Sequence, residues 1–337
     1  MSEETVRPAF EGRERPLLSY GIAFPAATAR HLDGTFQASR VYVICSGSLS
    51  RNTNVMDQLE TALGPDRLVG HWIGMRSHTL WSEVLQIAEE VQTVHADLLL
   101  TVGAGSLTDG AKIIALVGIP FSLILPFVIM FCLYSFRISL FFPGRPYIFI
   151  YSQSNIPQVL ANRVSTPEEL ETLAEGPKKR KYIEAPTLPI ISVPTSLSAG
   201  EYSNFAGGTE DNSKRKYSFQ PPIRGPELVI LDPWLAKTTP DSIWLSTGVR
   251  AMDHCIESLC AIAGTTTKSD KLALNALGLL VPGLLRCKKD RSDRDAHLQC
   301  QLGSVDAMAA CTSGSIELGA SHGIGHQVWD CFPLLTF

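Results

Sequence analysis

An α/β unit built on a parallel sheet, followed by an all-helical unit that is cut short, is the architecture this sequence predicts. Three observations carry it. Apolar, β-branched runs alternate with helix-periodic stretches over most of the chain. One of those runs leads through paired glycines straight into a helix. Beyond about residue 240 the strand-like runs stop, and apolar residues recur only at helical spacing.

The first 38 residues read as a lead-in with one strand at Leu17–Tyr20. Arg40–Cys45 is β-branched and reads as a buried strand, with Ser46–Ser50 as its turn and Asn52–Leu63 as a helix. Arg67–Ile73 is a second strand. Thr79–Val94 is helical, because Trp81, Val84, Leu85, Ala88 and Val91 fall on one face. Ala96–Val102 is a buried strand, and Asp109–Leu116 begins the helix after it. Ile190–Val193 and Leu228–Leu231 are two later strands, separated by a charged, turn-like stretch, Asp211–Tyr217. Strands alternating with helices imply a parallel sheet with crossover helices. Leu245–Cys260, Lys268–Leu285 and Leu298–Gly314 read as helices of the second unit. The expected boundaries are 1–236 for the α/β domain and 237–337 for an incomplete helical domain.

With 337 residues, 45% of them hydrophobic, the chain can bury two cores. A net charge of −4 and the lack of a basic stripe argue against a nucleic-acid partner. The eight cysteines form no Cys-x-x-Cys pair, and Met1–Thr5 is polar and acidic, unlike a secretory leader. Reduced thiols in the cytoplasm, mostly as core filler, are the expectation.

Between Lys112 and Arg137 there is no charged residue. Val117–Phe136 is long enough to cross a bilayer, and a membrane anchor over 117–142 is one reading. It opens inside the helix that follows the glycines, however, and Pro120 and Pro126 break it. Deleting 117–153 joins Ile113–Leu116 to Ser154–Asn162 as a soluble helix running into Ser165–Leu173. Valine codons begin GT and Gln153 can be CAG, so the ends suit an unspliced intron. The sequence therefore predicts an aberrant hydrophobic insertion at 117–153 in a mis-spliced gene model, and no membrane partner.

The stretch Thr101–Lys112 carries the chemistry. A strand, a glycine-rich turn and a helix N-terminus form an anion site, because glycines let a phosphate approach the backbone and free amides point at it. Ser106, Asp109 and Lys112 are spaced to share one helical face. The Gly-Lys-Ser/Thr ending of a Walker loop is missing, as is the third glycine of the usual Rossmann fingerprint. The expected guest is the diphosphate of a dinucleotide.

Gly103–Lys112 resembles the Gly-Gly-Gly-Ser-x-x-Asp-x-x-Lys signature of the iron-containing alcohol dehydrogenases. Pro194–Glu201 resembles that family's second nucleotide loop, with a length similar to the maleylacetate reductase branch. Glu227–Pro233 resembles the strand closing the first domain. Gly248–Glu257 and Gly319–His326 resemble the helices that carry metal histidines. The resemblance implies a dehydroquinate synthase-like fold and an NAD(P)H-dependent oxidoreductase. Such an enzyme transfers hydride to a small carbonyl or enoyl-type substrate, here in a secondary-metabolite route, and is expected to be a homo-oligomer.

The resemblance also implies residue roles. Gly103, Ala104, Gly105, Ser106 and Asp109 match the diphosphate loop. Thr195, Ser196 and Leu197 fall where the family contacts nicotinamide and its ribose, and Lys214 or Lys216 where it has a ribose-contacting lysine. Cys45 and Ser46 stand where an NAD-selecting aspartate is common, which admits NADP. His254 and His322 match two metal histidines, but the aspartate position holds Arg250, and a third histidine would fall beyond Phe337. A divalent metal, iron or zinc, therefore has an incomplete site. Arg250 is expected to take over the metal's electrostatic role, and His326 to relay a proton.

The alternative is a catalytically inactive, truncated family member that acts at most as a nucleotide-binding protein. A lyase of the dehydroquinate synthase type would need lysine-rich substrate clamps that the sequence lacks. His31, His71, His78, His95 and His297 read as structural, Glu201 as a structural acid in its loop, and Asp253 and Glu257 as helix-face charges. Trp81, Trp244 and the methionines read as core.

Overall fold

The computed structural model describes residues 3–117, 162–180, 182–314, 316, 317, 319–321 and 324. Apart from Val117, the expected insertion at 117–153 lies outside the described residues, and so does most of the helix expected to follow it.

The described residues build one seven-stranded sheet in the order β1-β2-β9-β6-β5-β3-β4. Its strands are β1 (Thr5–Pro8), β2 (Leu17–Tyr20), β3 (Val41–Cys45), β4 (Leu68–Ile73), β5 (Leu98–Gly103), β6 (Ile190–Pro194) and β9 (Leu228–Leu231). All neighbours are parallel except β1 and β2. β3, β5, β6 and β9 are buried along their whole length, which is why they read as near-continuous apolar runs; the polar Thr101 and Ser192 inside β5 and β6 bond each other at 2.8 Å.

Alternate residues of each central strand serve opposite faces. Tyr42, Ile44, Leu99 and Ile190 pack under α4 (Trp81–Thr93) and α5 (Gly105–Leu116). Val43, Leu100, Ile191 and Val193 pack on the other face against Phe24 of α1 (Phe24–His31) and Leu59 of α3 (Val55–Leu63). Thr166 caps α6 (Pro167–Ala174) by accepting from the Glu169 amide.

Several sequence expectations need correction. Ser46–Ser50 is not a simple turn: Gly47–Asn52 forms α2, and the next helix begins only at Val55. Thr53 separates the two, extended at φ −142° and ψ 168°. The lead-in contains β1 and α1 besides β2. The charged stretch at 211–217 is turn-like as expected over 211–215, but Lys216 and Tyr217 begin β8 (Lys216–Phe219), which pairs with β7 (Ala206–Thr209) in an antiparallel hairpin. In Ala-Gly-Gly-Thr only Thr209 favours a strand. The hairpin is held by tertiary packing, with Tyr217 and Phe219 against Trp81 at centroid distances of 4.8 and 6.5 Å.

Asp232 caps the short α7 (Pro233–Ala236) by accepting from the amides of Trp234 and Leu235, while its other oxygen accepts from the Phe24 amide. Three long helices follow: α8 (Asp241–Cys260), α9 (Thr267–Lys289) and α10 (Arg294–Thr312). Small residues let them pack closely: Ala251, Ala273, Ala276, Ala296 and Ala307 share their core with Trp244 and Leu280. α10 also reaches the sheet, where Val305 and Ala309 meet Leu18, Val229, Leu231 and Tyr202. Among the described residues, no helix is long and apolar enough to cross a membrane.

Candidate functional site

From β3 the chain crosses to β4 on one side, and from β5 it crosses to β6 on the other. The ends of β3 and β5 therefore flank the point where the strand order reverses, the place where open α/β sheets bind ligands. The glycine loop lies there. Gly103 ends β5 at φ +153°, and a Cβ on it would stand 2.9 Å from Leu107 Cδ2 and 3.0 Å from Ser46 Cβ. A Cβ on Gly105 would stand 2.8 Å from Ser198 Oγ. Only glycine fits either position without displacing a wall of the crevice.

Backbone bonds knit the strand ends together. Ser46 N donates to Val102 O at 2.9 Å and Thr195 N to Gly103 O at 3.0 Å. The N-cap of α5 is Ala104, and no side chain caps the helix, so its leading amides and dipole serve the crevice. The helix begins four residues earlier than the expected Asp109: Gly105 and Ser106 are its first two residues, Ala104 is its N-cap and Gly103 ends the strand before it.

The face expected to carry Ser106, Asp109 and Lys112 is divided. Lys112 is completely buried, and its Nζ donates to Gly200 O and Phe205 O, each at 2.7 Å. It locks the 200–205 segment onto α5 and cannot reach a ligand. Asp109 Oδ2 accepts from Gly207 N at 3.1 Å, which ties the hairpin to the same helix. Lys216 lies over Gly207, where an added Cβ would meet its Cε at 2.7 Å and, at 3.7 Å, Asp109 Oδ2. Lys214 belongs to the hairpin turn, at φ +57°. Ser198 and Gly207 complete this wall and were not singled out from the sequence; the Gly207-Gly208 pair was the available signal.

The second loop is fastened to the helices. Thr239 Oγ1 donates to Thr195 O at 2.7 Å, and Leu197 N donates to Thr247 Oγ1 at 3.1 Å. Thr195 and Ser196 are buried, and the Leu197 side chain fills the helical core beside Gly248. Glu201 is buried as expected of a structural acid, and its Oε1 accepts from Thr108 Oγ1 at 3.2 Å. Burial raises its pKa, opposed by its own backbone amide and by the charge of Lys112.

On α8, Arg250 is exposed and His254, one turn later, is buried. His254 O accepts from Ser258 Oγ at 2.7 Å, with Cys311 Sγ at 3.7 Å. Asp253 accepts from Ser321 Oγ, in keeping with a helix-face charge. Glu257 is instead buried, with Oε1 3.2 Å from where a Cβ of Gly319 would stand. His322 and His326 lie outside the described residues. Two of the other histidines take structural places: His31 bonds Glu4 and Thr35, and the His297 ring packs tilted against Trp244 at 4.8 Å.

The family description "Iron-containing alcohol dehydrogenase" matches residues 21–124, and that family's C-terminal domain matches 244–334. The chain is 32% identical to Dehydrogenase FUM7 of Gibberella moniliformis over 93% of this chain and 67% of that protein. It is 31% identical to Dehydrogenase ALT3 of Alternaria alternata over 87% and 68%, respectively. Among solved structures, maleylacetate reductase from Agrobacterium tumefaciens superposes with a TM-score of 0.66 at 17% identity, covering 99% of this chain and 71% of that one. Sulfoacetaldehyde reductase from Bifidobacterium kashiwanohense, solved with NAD+, gives 0.69 at 16%, covering 93% and 69%. This chain belongs to the iron-containing alcohol dehydrogenase family.

As a member of that family it is an NAD(P)-dependent oxidoreductase, and its strand ends fit the coenzyme. Side chains at Gly103 and Gly105 would fill the cradle, and the bare backbone leaves room for a diphosphate. The donors described for a metal fit less well. Arg250 occupies the position one turn before His254 where a carboxylate would be needed, and a guanidinium repels a cation. Among the described residues, no group of three His, Cys, Asp or Glu side chains is placed to hold a metal ion.

Proposed function

We propose that this chain is a reductase of small carbonyl or enoyl-type acids, with its coenzyme diphosphate over Gly103–Ser106 and Arg250 as the cation that receives developing negative charge. The observation that carries the reading is the glycine cradle at the strand-order reversal, where an added Cβ on Gly103 would strike both Ser46 and Leu107.

When bound, the nicotinamide ring supplies the hydride. The chain's residues do the rest. The α5 amides hold the diphosphate, and Asp109 and Lys216 flank the side of the crevice covered by the hairpin. The buried Thr195–Ser196 segment, fastened to Thr239, backs the crevice toward α8. Arg250 is accessible, and its guanidinium offers charged donors to a substrate carboxylate or a nascent oxyanion. His326 is assigned the proton relay.

Titration with NADH and NADPH, followed by nicotinamide fluorescence, tests the coenzyme half. Saturable enhancement is expected, and a folded protein that gives none overturns the reading. Turnover with small aldehydes and with keto or enoyl acids tests the rest. Arg250→Ala is expected to lower kcat by roughly 100-fold, as loss of an oxyanion donor does, while coenzyme affinity stays put. Binding without turnover would leave a nucleotide-binding protein and remove the reductase.

A further inference from the structure

Six free cysteines lie among the described residues, and two of them meet inside the helical unit. Cys287 sits near the end of α9, and Cys300 lies on α10. A Cβ on Gly283 would stand 2.7 Å from Cys300 Sγ. Gly283 is one turn before Cys287, so its bare backbone seats that sulfur on the face of α9 that carries Cys287. The Cys300 thiol is a hydrogen-bond donor to Cys287 Sγ.

Two further donors converge on the same sulfur. His297 Nδ1 donates to Asp293 O at 2.8 Å, which puts the ring proton on that nitrogen, and it lies 3.6 Å from Cys287 Sγ. The Trp244 indole N–H is buried, has no oxygen acceptor among the described residues and turns to Cys287. The bonds from Cys300, His297 and Trp244 outweigh burial and hold the Cys287 thiol well below the usual thiol range. Cys300, as the donor, is pushed up. Burial alone pushes Cys45 up to about 12. Access also differs within the pair. Cys287 keeps 5% exposure and lines a narrow cleft with Thr239, Trp244, Lys288 and Arg291, whereas Cys300 is fully buried.

We propose that Cys287 and Cys300 are a redox-active dithiol, in which the Cys287 thiolate takes oxygen from a small hydroperoxide and Cys300 resolves the product into a disulfide. With hydrogen peroxide, Cys287 Sγ attacks one peroxide oxygen, an S–O bond forms and the O–O bond breaks. The departing hydroxide takes up the proton that Cys287 had released and leaves as water. Cys300 Sγ then attacks the sulfenic sulfur, the S–S bond forms, the S–O bond breaks, and hydroxide leaves with the Cys300 proton as a second water. The thiol pair is oxidised by two electrons and the peroxide is reduced by two. Because the resolving thiol already touches the attacking sulfur, the second step is intramolecular. The cleft is too narrow for a peptide disulfide, which favours a peroxide as oxidant. The site stands apart from the coenzyme reading and does not depend on it.

To test it, the reduced full chain is treated with a small excess of hydrogen peroxide, quenched with catalase, blocked with N-ethylmaleimide and digested without reductant for mass spectrometry. A peptide pair joined through Cys287 and Cys300 is expected, with both thiols lost together and recovered in dithiothreitol, while Cys45 and Cys255 stay reduced. Cys300→Ser should stop at the sulfenic acid, trapped on Cys287 by dimedone, and Cys287→Ser should leave Cys300 unoxidised. Oxidation of the unaltered chain confined to the exposed Cys260 overturns the proposal. So does Cys300→Ser without a dimedone adduct on Cys287, or Cys300 oxidised equally fast in Cys287→Ser. Circular dichroism reports whether each variant folded, and if one does not, the linked peptide in the unaltered chain decides alone.

Discussion

The two walls of the crevice are built on opposite principles. On the α5 side three charged side chains are tied down, while the leading amides of the helix stay open to the crevice: Lys112 is sealed by two carbonyls, Asp109 holds the hairpin, and Glu201 is bonded to Thr108. On the β3 side Arg51, Ser46 and Ser48 are accessible, and no carboxylate among the described residues neutralises the cation. One wall spends these charges on its own architecture and the other leaves its arginine exposed. Charge alone does not mark a binding residue; what its neighbours have already satisfied decides.

The largest contrast is between the two cations. Lys112→Met leaves the Gly200 and Phe205 carbonyls without their donor in a dry interior. Removing one partner of a buried charged network costs about 3–5 kcal/mol, so the urea midpoint should fall steeply. Arg51→Ala should change stability by no more than about 0.5 kcal/mol, as exposed substitutions do. Equal losses of stability in the two variants would erase the distinction between the walls.

Gly103 joins the walls. Alanine there must adopt φ +153° and bring its Cβ to 2.9 Å from Leu107 and 3.0 Å from Ser46. Strain of about 1–3 kcal/mol is expected, together with a sharp loss of coenzyme affinity. Gly105→Ala meets only the Ser198 hydroxyl, at 2.8 Å, and that side chain can turn away. Its stability should hardly move, and Gly105→Ala with Ser198→Gly should recover coenzyme binding more fully than the single variant. The readout is fluorescence titration beside thermal melting.

The sequence spelled out one wall better than the other. The strands β3, β5, β6 and β9 were legible because each is apolar on both faces, and the glycine turn was legible because two glycines at a strand end have few other uses. Lys112 was read onto the ligand face from its spacing, yet its partners lie 88 and 93 residues away, where helical periodicity says nothing. The β7–β8 hairpin was missed for the same reason, since Ala206–Thr209 becomes a strand only against Trp81 and Asp109. Arg51 was overlooked because Ser46–Ser50 read as a turn; only when Gly47–Asn52 closes into a helix does the guanidinium come back over Gly47.

Two buried carboxylates extend the comparison to pH, with opposite signs. Glu201 has its pKa raised by burial, against its backbone amide and Lys112. The folded chain therefore holds that proton more tightly than the unfolded one, and this group's contribution falls as pH rises above the ordinary carboxylate range. Glu4 is the reverse. Burial acts to raise its pKa, but hydrogen bonds from Ser19, Arg30 and His31 win and lower it. Its contribution is fully present above the ordinary carboxylate value and is lost as pH falls through the folded one. Urea midpoints measured from pH 3 to pH 8, values chosen to span the carboxylate range, should separate them. Glu201→Gln should lose less stability than the unaltered chain as pH rises, because the amide keeps an oxygen for Thr108 and never ionises. Glu4→Gln should lose less as pH falls, at the cost of a lower plateau near neutrality. Parallel shifts of both variants across the whole range would mean that neither carboxylate titrates with folding.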